Sequence, residues 1–223
     1  MKRTKLRDRI LPDYTRGEEI FNMVSHIVGG GFGVIALASC VIKAFLVGSA
    51  FDIVAAFIYG CSMIVLYTMS SIYHGLKPPM AKKVFQIIDH CTIFILIAGT
   101  YTPLTLGPIR EADPLLCWII MGVVWGASAL GVVLNAIDLK KYNVLSMILY
   151  LVIGWCIIFT GKAAVAAMGL PCFIWILAGG VAYTIGAVFY GVAKKVRYMH
   201  SVFHLFVVLG SILQYIGIIF YVI

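Results

Sequence analysis

Seven stretches of about 20 predominantly apolar residues run through the chain, each long enough to cross the hydrocarbon of a bilayer as a helix. They lie at roughly 25–47, 51–74, 85–106, 115–136, 144–161, 171–193 and 199–222. A segment in lipid must pair its own backbone polar groups, which a helix does internally, so the stretches predict helices. Turn-forming residues separate them: Gly75 with Pro78 and Pro79, Gly107 with Pro108 through Pro114, Asp138 to Tyr142, Gly169 to Pro171, and Lys194 to Tyr198. Of the 223 residues, 62% are hydrophobic and 12% charged, where a soluble domain has about half and about a quarter. The expectation is an all-α integral membrane protein, a seven-transmembrane helix bundle forming one domain over residues 1–223, with residues 1–24 as an N-terminal arm. The 22 Gly and seven Pro are scattered, which excludes a collagenous repeat or a disordered linker.

Seventeen Lys and Arg against nine Asp and Glu give a net charge of +8, a balance that in a soluble chain would suggest nucleic acid. Here the distribution gives another reason. Fourteen basic residues fall on one side of the bundle: Lys2, Arg3, Lys5, Arg7, Arg9, Arg16, Lys77, Lys82, Lys83, Lys140, Lys141, Lys194, Lys195 and Arg197. Only Lys43, Arg110 and Lys162 remain for the other. The positive-inside rule then predicts a cytoplasmic N-terminus and an outer C-terminus, and no nucleic-acid partner. The polar residues 1–23 run straight into the first span without a signal-peptide core, so no cleaved leader is expected. Six cysteines stand singly with no Cys-x-x-Cys spacing and read as small buried hydrophobes; a disulfide would have to join Cys117 and Cys172.

Ionisable side chains are costly within a bilayer and therefore point to function. All five histidines fall at helix ends on the side that Lys and Arg mark as cytoplasmic: His26, His74, His90, His200 and His204. His200 and His204 are one turn apart, on one helical face. Ser70 and His74 repeat that spacing, and Asp89 falls at nearly the same depth. His74, His200 and His204 would supply the three neutral nitrogens of a catalytic-type zinc site with a fourth position for water. Asp89 is then placed as general base and Ser70 as the group that orients the water or polarises a carbonyl. The alternatives are a metal-free hydrogen-bonded cluster, or histidines that face the headgroups. His90, adjacent to Asp89 and turned about 100° from it, reads as interfacial.

Glu19, Asn22 and His26 share a face at three- and four-residue spacing, which fits either a lid or second layer over the site or a catalytic part. Gly29, Gly30, Gly31 and Gly33 have no following Lys-Ser or Lys-Thr and read as close helix packing rather than a phosphate loop. Pro103 is expected to kink the third span, with nearby threonines re-satisfying carbonyls. Gln214, about 15 Å beyond His204, reads as an interhelical hydrogen bond. Asn135 and Asp138 fit either a second layer behind the site or cap and loop residues, and the latter is the preferred reading.

Glu19-x-x-Asn22-x-x-x-His26, Ser70-x-x-x-His74 followed by Asp89, and His200-x-x-x-His204 resemble the three signature motifs of the progestin and adipoQ receptor family over the whole chain. The Ala98-Gly99-Thr100-Tyr101-Thr102-Pro103 segment and the short arm resemble its bacterial hemolysin III branch. The resemblance implies a multi-pass protein of the bacterial plasma membrane, with zinc held by His74, His200 and His204 and with Ser70 and Asp89 around the metal water. It also implies kinship with membrane hydrolases that cleave lipid amides. The adiponectin receptors have a long cytosolic N-terminal region where this chain has about two dozen residues, so hormone recognition is not carried over. Nor do the residues support a haemolytic pore, because polar groups gather at one end of the spans.

Three functions compete. A zinc-dependent hydrolase would act on the amide or ester of a membrane lipid in lipid homeostasis. A receptor or regulator of lipid state would use zinc only to tie helices together, a reading that gains if Asp89 takes the fourth metal position. A transporter would need a polar path towards the outer side, of which only Gln214 is visible. Three imidazoles also accept copper, nickel or iron.

Overall fold

The computed structural model describes residues 3–193 and 195–223, so Lys2 and Lys194 of the basic set lie outside the described residues. Helix follows helix, with no strand among those residues. The main elements are α1 (Arg16–Val47), α2 (Ala50–Gly75), α3 (Pro79–Leu104), α4 (Pro114–Gly154), the short α5 (Gly161–Met168), α6 (Leu170–Val192) and α7 (Met199–Tyr221). Six helical stretches are long and apolar enough to cross a membrane, α4 and α5 together forming one of them. The protein is a multi-pass membrane protein.

The expected stretches at 115–136 and 144–161 meet at a sharp break rather than a loop. Within α4, Asp138 alone leaves helical geometry, at φ −159° and ψ 90°, and its Oδ1 accepts the Lys141 N–H at 3.2 Å. One extended residue with a capping carboxylate is enough to redirect the chain. The first helix also begins well before its apolar stretch. Thr15 and Glu18 form a reciprocal capping box, worth about 1 kcal/mol, so Glu19, Asn22 and His26 all lie inside α1.

Neighbouring helices pack in chain order, and α1 closes the ring against α7. Gly29 and Gly33 make the approach of α1 to α2 possible: a Cβ at Gly29 would lie 2.7 Å from the Tyr67 ring, and one at Gly33 3.3 Å from Met63. Gly31 faces open space, so the close-packing expectation holds for Gly29 and Gly33 and not for Gly31. Pro103 sits at the end of α3, where the chain passes into a wider π turn over Thr105–Ile109. Thr100, Thr102 and Thr105 bond back to the carbonyls of Leu96, Ala98 and Tyr101 at 2.8 Å each. All six cysteines are free, Cys117 and Cys172 included.

The ring is not filled. Across its middle, α3 and α4 barely meet α6 and α7, and a cavity of about 140 Å³ lies between them. Its wall is mainly apolar, with Ile93, Leu96, Met147, Leu151, Phe203 and Val207 along it and Gln214 at depth. At the histidine end of the bundle the N-terminal arm lies across the helix termini. Thr4 N–H donates to Asp138 at 2.7 Å, Lys83 to Arg7 O at 2.7 Å, and Arg197 to Asp13 O at 2.7 Å.

Candidate metal centre

The C-terminal turns of α2 carry Ser70 and His74, and the first turns of α7 carry His200 and His204. Hydrophobic burial of the two helices brings these turns together. One nitrogen from each of His74, His200 and His204 lies within 4.8 Å of the other two, and all three residues are buried. His200 Nε2 and His204 Nε2 stand 3.1 Å apart.

Glu19 determines which His74 nitrogen faces the cluster. Its Oε2 lies 2.6 Å from His74 Nδ1, so Nδ1 carries the proton and donates it, leaving Nε2 as a lone pair. That Nε2 is fully buried and has no partner, as are His200 Nδ1 and His204 Nδ1. An orphaned buried imidazole nitrogen is costly, and a cation held by the Nε2 atoms of His200 and His204 would also satisfy that of His74. The spacing of His200 and His204 suits such an ion, since nitrogens about 2.0–2.1 Å from a tetrahedral metal sit about 3.3 Å apart, and His74 lies within reach of both. The carboxylate–histidine pairing is also the arrangement that fixes the ring of a metal-ligating histidine.

Around the cluster, Asn22 is completely buried and its Oδ1 accepts from Ser201 Oγ at 2.7 Å, next to His200 on α7. His26 stacks on His204 with centroids 3.8 Å apart and 20° between planes, and both its nitrogens lack partners. The Glu19, Asn22 and His26 face of α1 is therefore placed against the three converging histidines.

Asp89 and Ser70 both line the cavity, together with His200 and His204. Asp89 stands outside the converging set, with its side chain 14% exposed and Oδ2 3.7 Å from His90 Nδ1. His90 is not an interfacial residue facing headgroups. Its Nδ1 donates to Gln86 O at 2.9 Å, its Nε2 lies 3.3 Å from the Tyr190 hydroxyl, and it too lines the cavity. Behind it, Asn135 is fully buried rather than a cap: it accepts from Ser146 Oγ at 2.6 Å and donates to the Tyr150 hydroxyl at 3.2 Å. Tyr150 in turn donates to His90 O at 2.7 Å. Gln214 makes the interhelical bond expected of it, to Ile176 O at 3.4 Å.

Three further residues at the site lie outside the histidine motifs. Tyr14, in the arm, stacks on His200 with centroids 4.9 Å apart and planes 18° apart; burial raises its phenol pKa, so it stays neutral. Lys82, which reads in the sequence as one more inner loop charge, is buried against Glu19 at 2.8 Å. Glu18 receives the Tyr198 N–H at 2.7 Å and Arg197 at 3.3 Å. Only Glu18 was open to discovery, since Thr15-Arg16-Gly17-Glu18 has capping-box spacing.

Comparison with known proteins finds relatives over most of the chain. A family model described as Haemolysin-III related matches residues 14–215. The chain is 36% identical to the Hemolysin-3 homolog of Bacillus subtilis (strain 168), over 93% of this chain and 96% of that one. It is 34% identical to Hemolysin-3 of Bacillus cereus over 92% of each. Against the Monocyte to macrophage differentiation factor of Homo sapiens it is 28% identical, over 81% of this chain and 82% of the other.

Proposed function

The chain belongs to the haemolysin-III-related family, as the progestin and adipoQ receptor motifs imply, and from that premise we propose that it is a zinc-dependent hydrolase of membrane-lipid amides or esters. One observation carries the reading: three buried imidazoles converge where an apolar cavity also presents a carboxylate and a hydroxyl. Asp89 lies outside the converging set, which favours an open fourth position over a purely structural site.

In this reading His74, His200 and His204 hold the ion, which supplies Lewis acidity and a water of lowered pKa. Asp89 accepts the proton of the attacking water on its carboxylate and passes it to the leaving nitrogen or oxygen as the carbonyl carbon exchanges that bond for one to water. Ser70 Oγ–H donates to the carbonyl oxygen as negative charge grows there. The apolar wall from Ile93 to Val207 orients the acyl chain and excludes bulk water. Tyr14 covers His200 from the arm side, so the lipid approaches along the cavity, between α4 and α6.

The break at Asp138 is read as the turn between two spans, which makes seven, with the basic arm cytoplasmic and the C-terminus outside. The test is release of fatty acid from a lipid amide and a lipid ester in proteoliposomes, wild type against Asp89→Asn. A loss of about 10²–10⁴-fold in kcat with metal content unchanged is expected. Equal turnover in the variant would remove Asp89 from the mechanism.

A further inference from the structure

We propose that Lys82 is a positioning residue of the histidine centre, acting through Glu19 on the side chain of His74 and through two carbonyls on the turn that carries it. The inference rests on the metal-binding reading of the three histidines and adds a residue none of their motifs contains.

The placement is unusual for a lysine. Lys82 occupies the first turn of α3 at a helix end, where an ammonium would ordinarily extend into water, yet it is only 9% exposed. Its three N–H donors have three acceptors. They are Glu19 Oε1 at 2.8 Å, Leu76 O at 3.2 Å and His74 O at 3.4 Å. The ammonium also lies 5.2 Å from the centroid of the Tyr73 ring. One of these carbonyls, that of His74, belongs to the last turn of α2, which has no further helical N–H to offer it, and the other is that of the C-cap residue Leu76. Every contact therefore ends on His74 itself, on a neighbour in its turn, or on the carboxylate that grips it.

The consequence for His74 follows from the two oxygens of Glu19. Oε2 takes the His74 Nδ1 proton and Oε1 takes Lys82, so the carboxylate is held from opposite sides and cannot swing away from the imidazole. The lysine charge also balances the carboxylate in a buried setting, where an unpaired anion is expensive. Lys83 is committed to Arg7 O in the arm, and Arg197 to Asp13 and Glu18. Without Lys82, Glu19 would be held from one side only, and the His74 ring and its Nε2 would be held less firmly towards His200 and His204.

The experiment uses the full chain in detergent, folded and monodisperse, as wild type, Lys82→Met, Lys82→Arg, Glu19→Gln and the Lys82→Met plus Glu19→Gln double variant. Zinc affinity is read by competition with a chromophoric chelator, and the thermal midpoint is measured with and without zinc. Lys82→Met is expected to lose about 10- to 100-fold in zinc affinity, as outer partners of metal ligands do, and to show a smaller zinc-induced rise in midpoint. Lys82→Arg should recover most of the affinity, and the double variant should lose less than the two single losses combined, because the lysine acts in part through the glutamate. A purely structural lysine would lower the metal-free midpoint and leave both zinc affinity and the zinc-induced rise unchanged. That result, or additive losses in the double variant, overturns the proposal. If Lys82→Met does not fold, Lys82→Gln, which keeps a donor for the carbonyls and removes the charge facing Glu19, carries the same comparison. A wild type that takes up no zinc would instead defeat the metal reading itself, and the two failures are thereby told apart.

Discussion

The two ends of the helix bundle both carry charged and polar side chains, but they use them differently. At the end away from the histidines the carboxylates and Arg110 bond locally. Ser49 and Asp52 form a capping box at the start of α2, Asp113 caps α4, and Arg110 donates to Leu106 O. Lys43 reaches Ile219 O at 2.6 Å, and the other long-range bonds there join uncharged groups, as Ser39 with the Tyr215 hydroxyl at 2.8 Å and the Ile157 N–H with the Tyr101 hydroxyl at 2.9 Å. At the histidine end, bonds join segments far apart in the chain: Glu19 to His74 and Lys82, Asn22 to Ser201, Arg197 to Asp13 and Glu18, Thr4 to Asp138. Local caps make helices begin and end, whereas long-range polar contacts among buried groups specify one relative placement of helices, which a reactive centre requires and a lipid-facing end does not.

Substitutions should divide along the same line. Replacing His200 and His204 together by Ala removes two of three converging nitrogens, and metal content by mass spectrometry should fall from about one ion per chain to none. Equal, negligible metal in both proteins after zinc is supplied would break the contrast at its centre. Asn135→Ala, behind His90, should cost about 1–3 kcal/mol in equilibrium unfolding by leaving Ser146 and Tyr150 short of partners, with metal affinity kept. A loss of metal there would show that the ordered region extends further than the histidines. Ser49→Ala at the opposite end should cost about 1 kcal/mol and leave metal affinity and turnover unchanged. An effect of Ser49→Ala on turnover would mean the two ends are coupled.

Much of this contrast was legible in the sequence, for identifiable reasons. Hydropathy located the helices because lipid imposes length and apolarity on any span, and one-turn spacings placed His200 with His204 and Ser70 with His74 because helical geometry is local. Neighbours across helices were harder to read. Helices that are apolar nearly all round carry little periodicity to show how each is rotated, so Lys82 read as a loop charge, His90 as interfacial and Asn135 as a cap. The Glu19–His74 bond spans 55 residues, and no local pattern encodes it. The polar run from Asp138 to Tyr142 marked a break, but composition does not show that one extended residue, rather than a loop, makes it.

The arm that lies across the histidine end also has a consequence for timing. The Glu18 carboxylate receives its N–H from Tyr198, 180 residues later in the chain. At about 5–20 residues per second, a ribosome needs roughly 10–40 seconds to add that length after making the arm. Until α7 is inserted, Tyr14 has no His200 to cover and α2 holds a single imidazole of the three. The newborn chain therefore passes through the bilayer, among the lipids it is proposed to cleave, with its centre unassembled; insertion of the last helix is the step that arms it.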